Sequence, residues 1–257
     1  MKIGSCIPAD VLTPDQIRQF NTFNLDFVEI QGTVVSKMSE DQFNSLCNLL
    51  DECNLKSEVM NGFFPADVRM TGDDKDYEKL KSYLDNLLPK AKKLGCEFVV
   101  FGSPRSRNIP EGYPREKAWE ELKKGVTIFS EKALPFGIRI GLEPLQLKGC
   151  NILNTVPEAV QMAKELNLKN VALIADYYQM ISDDEPPENL VTYASFIEHI
   201  HMSERDRFFP RERGPDFDTF FEQIKISGYN KRISFEGKTN DFVNDLRVGV
   251  QVMRSYL

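Results

Sequence analysis

Four residues in the second half of the chain each close a run of strand-forming residues. Glu143 follows Ile138–Leu142, while Asp176, His201 and Glu236 end the runs Val171–Asp176, Phe196–His201 and Arg232–Glu236. Three carboxylates and one imidazole make a hard, oxygen-rich donor set, suited to Mn²⁺ or, as alternatives, Mg²⁺ or Co²⁺, with positions left for substrate oxygens. A carboxylate at the buried end of an apolar strand is costly unless paired, and a divalent cation supplies the pairing. Two glutamates facing each other across such an ion suit proton transfer at a carbon next to a carbonyl. One removes the proton and the other returns one to the ene-diolate. Return to the opposite face epimerises, and return to the neighbouring carbon interconverts aldose and ketose. Loss of a neighbouring group makes the same site a lyase.

Four strand ends meet at one point if the strands are parallel and closed into a barrel, whose active face is built at their C-terminal ends. The chain supplies the alternation this needs. Short β-rich runs are expected at Lys2–Cys6, Asp26–Ile30, Lys56–Met60, Glu97–Phe101, Ile138–Leu142, Asn170–Ala175, Phe196–Ile200 and Lys231–Phe235. Amphipathic helices are expected between them, among them Ser39–Cys53, Asp76–Leu94, Pro114–Leu134 and Thr155–Leu166. Eight such units over 257 residues match a single (β/α)8 barrel, for which about 250 residues is typical. No linker or low-complexity tract interrupts the period, so residues 1–257 read as one domain. An open doubly wound sheet has the same alternation, but its G-x-G-x-x-G loop is absent after the first strand.

Composition narrows the partners. A formal charge of −7 lacks the basic footprint of a nucleic-acid binder. No apolar run approaches membrane-spanning length, and the start Met-Lys-Ile-Gly-Ser-Cys-Ile lacks a signal peptide's apolar core. Five cysteines without C-x-x-C spacing indicate reduced thiols rather than a disulfide framework, which together predict a cytoplasmic protein. Around the strand ends, Glu29 either hydrogen-bonds a substrate hydroxyl or is a barrel-layer acid paired with a neighbouring Arg or Lys. Phe63 and Phe64, with Phe208 and Phe209, either wall a sugar's apolar face or simply pack. Ser103, Arg105 and Arg107 follow the fourth strand and are placed to meet an anionic substrate group, though a solvated or salt-bridged role is favoured for the arginines. His199, two residues before His201 on the same strand face, is read as packed beneath the site.

Four motifs together resemble the xylose isomerase-like barrel superfamily, in particular its sugar phosphate isomerase/epimerase group with ketose 3-epimerases and hydroxypyruvate isomerase. They are G-L-E-P at Gly141–Pro144, Asp176–Tyr178, H-I-H at His199–His201 and S-F-E at Ser234–Glu236. The resemblance covers nearly the whole chain. It implies that Glu143 and Glu236 are both metal ligands and the acid/base pair, with Asp176 and His201 completing the set. It also implies that Arg207 contacts substrate oxygens or steadies the metal-site glutamate, and that two copies can pair through their outer helices. Asn154 and Thr155 match the group as well. One position departs from it: Gln179 stands where many relatives have a substrate-touching histidine. Glutamine donates a hydrogen bond but carries no proton at neutral pH, so it keeps open a lyase of the inosose dehydratase kind. The endonuclease branch needs a histidine-rich zinc site, which two histidines do not supply. A non-catalytic sugar-binding barrel has no need of both glutamates.

Overall fold

A computed structural model describes residues 1–8 and 13–257. Eight parallel strands follow one another around a closed barrel, with the last pairing to the first. They are β1 Lys2–Ile7, β2 Phe27–Ile30, β3 Val59–Met60, β4 Phe98–Phe101, β5 Arg139–Leu142, β6 Val171–Asp176, β7 Ile197–Met202 and β8 Arg232–Phe235. Helices lie between them on the outside, the longest being Arg115–Ala133 and Tyr77–Lys93. The first residues of three expected helices act as their caps. Ser39 and Gln42 form a reciprocal capping box, and the Asp76 and Thr155 side chains each accept a main-chain N–H of the turn they open.

Three departures from the expected elements lie at β3 and just past β6 and β4. β3 pairs only over Val59–Met60, because Ser57 replaces main-chain pairing with its side chain: its Oγ accepts from Ile30 N at 3.2 Å and donates to Val59 O at 3.0 Å. A helix not read from the sequence, Tyr177–Ser182, begins directly at the end of β6, where Asp176 accepts from Tyr178 N and Gln179 N. The expected loop after β4 contains one helical turn, Pro104–Arg107.

The barrel interior is filled from its N-terminal end. Phe27, Val59, Phe98, Val100, Ala172 and Ile174 form a buried cluster of their own, separate from the larger core between strands and helices. Two glycines make the room: a Cβ on Gly4 would lie 2.3 Å from the Phe27 ring, and one on Gly141 would lie 2.3 Å from the Phe98 ring. Because strand side chains alternate, the interior face continues upward from this plug. Phe27 is followed by Glu29, His199 by His201, and Ser234 by Glu236. The register Asp176–His201–Ser234 across β6, β7 and β8 fixes their relative heights.

Candidate active site

Glu143 lies one residue past β5, Asp176 ends β6, His201 lies within β7, and Glu236 lies one residue past β8. The fold brings the four together, with one donor atom from each within 4.8 Å of all the others. His201 Nδ1 stands 3.7 Å from Glu143 Oε1 and 3.5 Å from Glu236 Oε2. Glu143 Oε1 and His201 Nδ1 are buried and have no hydrogen-bond partner among the described residues. Leaving such atoms unsatisfied is expensive, and the donor set they belong to fits a divalent cation.

Each donor is held from behind. Asp176 spends Oδ1 on the N–H groups of Tyr178 (2.8 Å) and Gln179 (3.3 Å), which leaves Oδ2 facing the cluster. His201 Nε2 lies 3.0 Å from Glu29 Oε2, which turns Nδ1 toward the acids. Glu143 fits because residue 102 is glycine: a Cβ there would sit 1.7 Å from Glu143 Oε2. Arg207, whose backbone is left-handed at φ 69°, reaches across to Glu236 Oε2 at 2.5 Å and Asp176 Oδ2 at 3.3 Å. Its guanidinium lies over the Tyr178 ring.

Charge is distributed unevenly over the cluster. Burial, with the neighbouring Glu236, raises Glu143 above the usual carboxylate range. Burial also pushes Asp176 up to about 7, against the pull of Arg207. Glu236 is more exposed than either, and His201 and Arg207 outweigh what burial it has and hold it at about 2. Cys6, Glu29 and His201 also bring ligand atoms together. That group is already closed by its own hydrogen bonds, and burial followed by the Glu29 charge keeps the Cys6 thiol protonated.

A cavity of about 270 Å³ opens above the cluster, lined in part by Asn61, Gly102, Ser103, Glu143, Gln179, Arg207 and Glu236. This is the size of a small ligand rather than an extended one. A larger groove, about 970 Å³, lies between helices Pro14–Phe20 and Glu40–Glu52 on the outside, away from the acids.

The family described as xylose isomerase-like TIM barrel matches residues 17–256. The chain belongs to this family. Among curated relatives, 3-dehydro-D-guloside 4-epimerase of Escherichia coli (strain K12) is 29% identical over 249 residues, spanning 93% of this chain and 92% of its own. The ketose 3-epimerase of Arthrobacter globiformis is 29% identical over 122 residues, which is 47% of this chain and 42% of its own. The 2-oxo-tetronate isomerase of Haemophilus influenzae is 27% identical over 159 residues, 60% of each chain. The solved structure of L-ribulose 3-epimerase superposes with a TM-score of 0.85 at 16% identity, covering 100% of this chain and 95% of that one, a likeness of fold.

Within this family fold, Ser103 and Gln179 line the cavity. Ser103 Oγ accepts from Phe64 N at 3.1 Å, and Gln179 Oε1 accepts from Gln146 N at 3.0 Å. Glu29 and Phe63 do not reach it. Glu29 is fully buried one layer down, a barrel-layer acid whose carboxylate meets His199, His201, Ser234 and Cys6 instead of the expected Arg or Lys. Phe63 is also fully buried and stacks on Phe129, because the loop after β3 turns it outward under helix Arg115–Ala133. Phe209 packs on Phe235 and Phe242. Arg107 is completely buried and forms no salt bridge among the described residues. Sequence reasoning passed over Asn61, whose Nδ2 lies 2.9 Å from Cys6 Sγ and 3.5 Å from Glu236 Oε1. Its only signal was its place immediately after a strand.

Proposed function

We propose that residues 1–257 form one domain that works as a divalent-metal-dependent sugar epimerase or isomerase. Its substrate in this reading is a ketose or a related polyhydroxy carbonyl compound. The observation that carries it is the pairing of Glu143 and Glu236 on one small cavity, with the unpartnered Nδ1 of His201 between them. Relatives named as epimerases and isomerases of sugars and sugar-derived acids support the substrate class. Glu143, Asp176, His201 and Glu236 would hold the ion, Mn²⁺ in this reading. Bound there, it supplies charge compensation for the substrate oxygens next to the reacting carbon.

The protein's own groups account for the rest. One glutamate takes the proton from the carbon beside the carbonyl and the other delivers one to the resulting ene-diolate. Arg207, on Glu236 and Asp176, keeps those carboxylates aimed and places a fixed positive charge at the cavity wall. Gln179, its carbonyl already engaged by Gln146 N, offers the cavity only its amide N–H groups. That feature favours a lyase or dehydratase on a keto-sugar or inosose as the second reading, since Gln179 orients a substrate oxygen without returning a proton. Five free cysteines suit a reducing, cytoplasmic setting, and no helix among the described residues is long and apolar enough to cross a membrane.

The test is to incubate manganese-loaded protein with ketoses, their phosphates and inososes in deuterated water and to follow the carbon-bound protons by NMR. Deuterium incorporation with an accumulating isomer is expected. Elimination products would move the assignment to the lyase, and no exchange across the panel would overturn both.

A further inference from the structure

Among the described residues Arg107 is the largest fully buried polar side chain, and its guanidinium pairs with no carboxylate there. It donates instead to two main-chain carbonyls, Phe101 O through Nη1 at 2.8 Å and Glu143 O through Nη2 at 2.6 Å. Its Nε lies 3.5 Å from Cys150 Sγ, and its guanidinium lies 5.4 Å from the centre of the Phe101 ring. Taking a cation out of water without a counter-ion is costly, so its environment must return something specific.

The local backbone shows what that is. The pairing of β4 with β5 ends at Phe101 with Leu142, and beyond it only Glu143 N reaches across, to Phe101 O at 3.3 Å. By that register the next ladder bond would run from Ser103 N to Glu143 O, and it is not formed among the described residues; Arg107 Nη2 takes its place on that carbonyl. Glu143 would otherwise sit on a strand end that has lost its ladder. The rigid fork of an arginine spans both carbonyls at once, which a lysine ammonium on its flexible stem does not.

We propose that Arg107 is a positioning residue for Glu143, a guanidinium clamp that extends the β4–β5 ladder by one residue so that the Glu143 carboxylate is held over Gly102. It does so without occupying either carboxylate oxygen, both of which stay free for the cavity. The consequence for catalysis rests on the function proposed above; the clamp itself does not.

The test compares Arg107→Met, which keeps length but removes every donor, with Arg107→Lys. Amide hydrogen exchange at Glu143 reads the clamp without reference to activity, while kcat, KM and Mn²⁺ affinity read its consequence. The Met variant is expected to fold, to lose protection at the Glu143 amide, and to lose about 100-fold in kcat with little change in KM, the cost of a misplaced catalytic group. The Lys variant is expected to recover part of both. If the parent protein exchanges no substrate proton, the functional reading falls, and the clamp is still decided by the Glu143 amide. A folded Met variant with native protection and native Mn²⁺ affinity overturns the clamp. If the Met variant does not fold, a Lys variant indistinguishable from the parent overturns it, as does failure of both to fold, which makes Arg107 a folding residue only.

Discussion

Two buried glutamates, one layer apart in the same barrel, meet opposite fates. Glu29 is fully buried and saturated: His199 Nε2 at 2.6 Å, His201 Nε2 at 3.0 Å, Cys6 Sγ at 3.3 Å and the Ser234 hydroxyl all meet its two oxygens. Glu143, 4% exposed, keeps Oε1 with no partner. Their electrostatics follow. The two histidines overcome burial and hold Glu29 well below the usual carboxylate range, whereas burial dominates at Glu143 and raises it. Burial alone therefore does not mark a working acid in this barrel. A buried acid whose hydrogen bonds are complete belongs to the scaffold, and one left open faces the chemistry.

The sharpest way to break that comparison is to neutralise the open acids. Glu143→Gln and Glu236→Gln should each lower the rate of solvent proton exchange into substrate by about 10²–10⁴-fold, the usual worth of a positioned acid or base. Retained exchange in deuterated water in either variant would remove that glutamate from the proton pathway. Next in size, Gly102→Ala puts a methyl group where Glu143 Oε2 now lies and should cost about 100-fold in kcat by displacing the carboxylate. Near-parental turnover in this variant would mean the cradle is loose.

Glu29→Gln probes the saturated layer. With the charge behind His201 gone, Mn²⁺ affinity measured by calorimetry should fall about 10–100-fold, the range for groups that orient metal-bound histidines. A larger loss of activity than of affinity would give Glu29 a direct part in the chemistry. The open layer should also compete with protons for the metal. Asp176, raised by burial to about 7, binds a proton in the folded protein that the unfolded chain, near 3.8, has released. Its contribution to the stability of the metal-free protein therefore falls as pH rises from about 4 to 7. Mn²⁺ affinity runs the other way, tightening by up to about tenfold per pH unit until Asp176 is ionised. Flat affinity between pH 5 and 8 would exclude Asp176 as a titrating ligand. Smallest for function is the apolar plug: Gly141→Ala drives a methyl group into the Phe98 ring and should cost about 1–3 kcal/mol in a denaturant melt with turnover per folded molecule unchanged.

The barrel and its four-donor cluster were legible in the chain because each rests on local pattern. Strand residues alternate, helices carry their own caps, and an acid or histidine closing an apolar run is visible without any partner. Gly102 was visible too, but only as a glycine after a strand; that its missing side chain is filled by Glu143 depends on a neighbour 41 residues away. The fate of Glu29 was illegible for the same reason. His199, His201 and Ser234 are brought to it by barrel closure across 170, 172 and 205 residues, and no local rule says which strand end is saturated. Arg107 looked like one of two loop arginines, yet Arg105 is exposed while Arg107 turns inward onto the Phe101 and Glu143 carbonyls where β4 and β5 part. Sequence by itself determined which residue types stand at the ends of eight strands, because strand period and helix capping are properties of a few neighbouring residues. Only the tertiary structure decided which of those residues remain open, because completing a hydrogen bond in a closed barrel takes atoms from opposite ends of the chain.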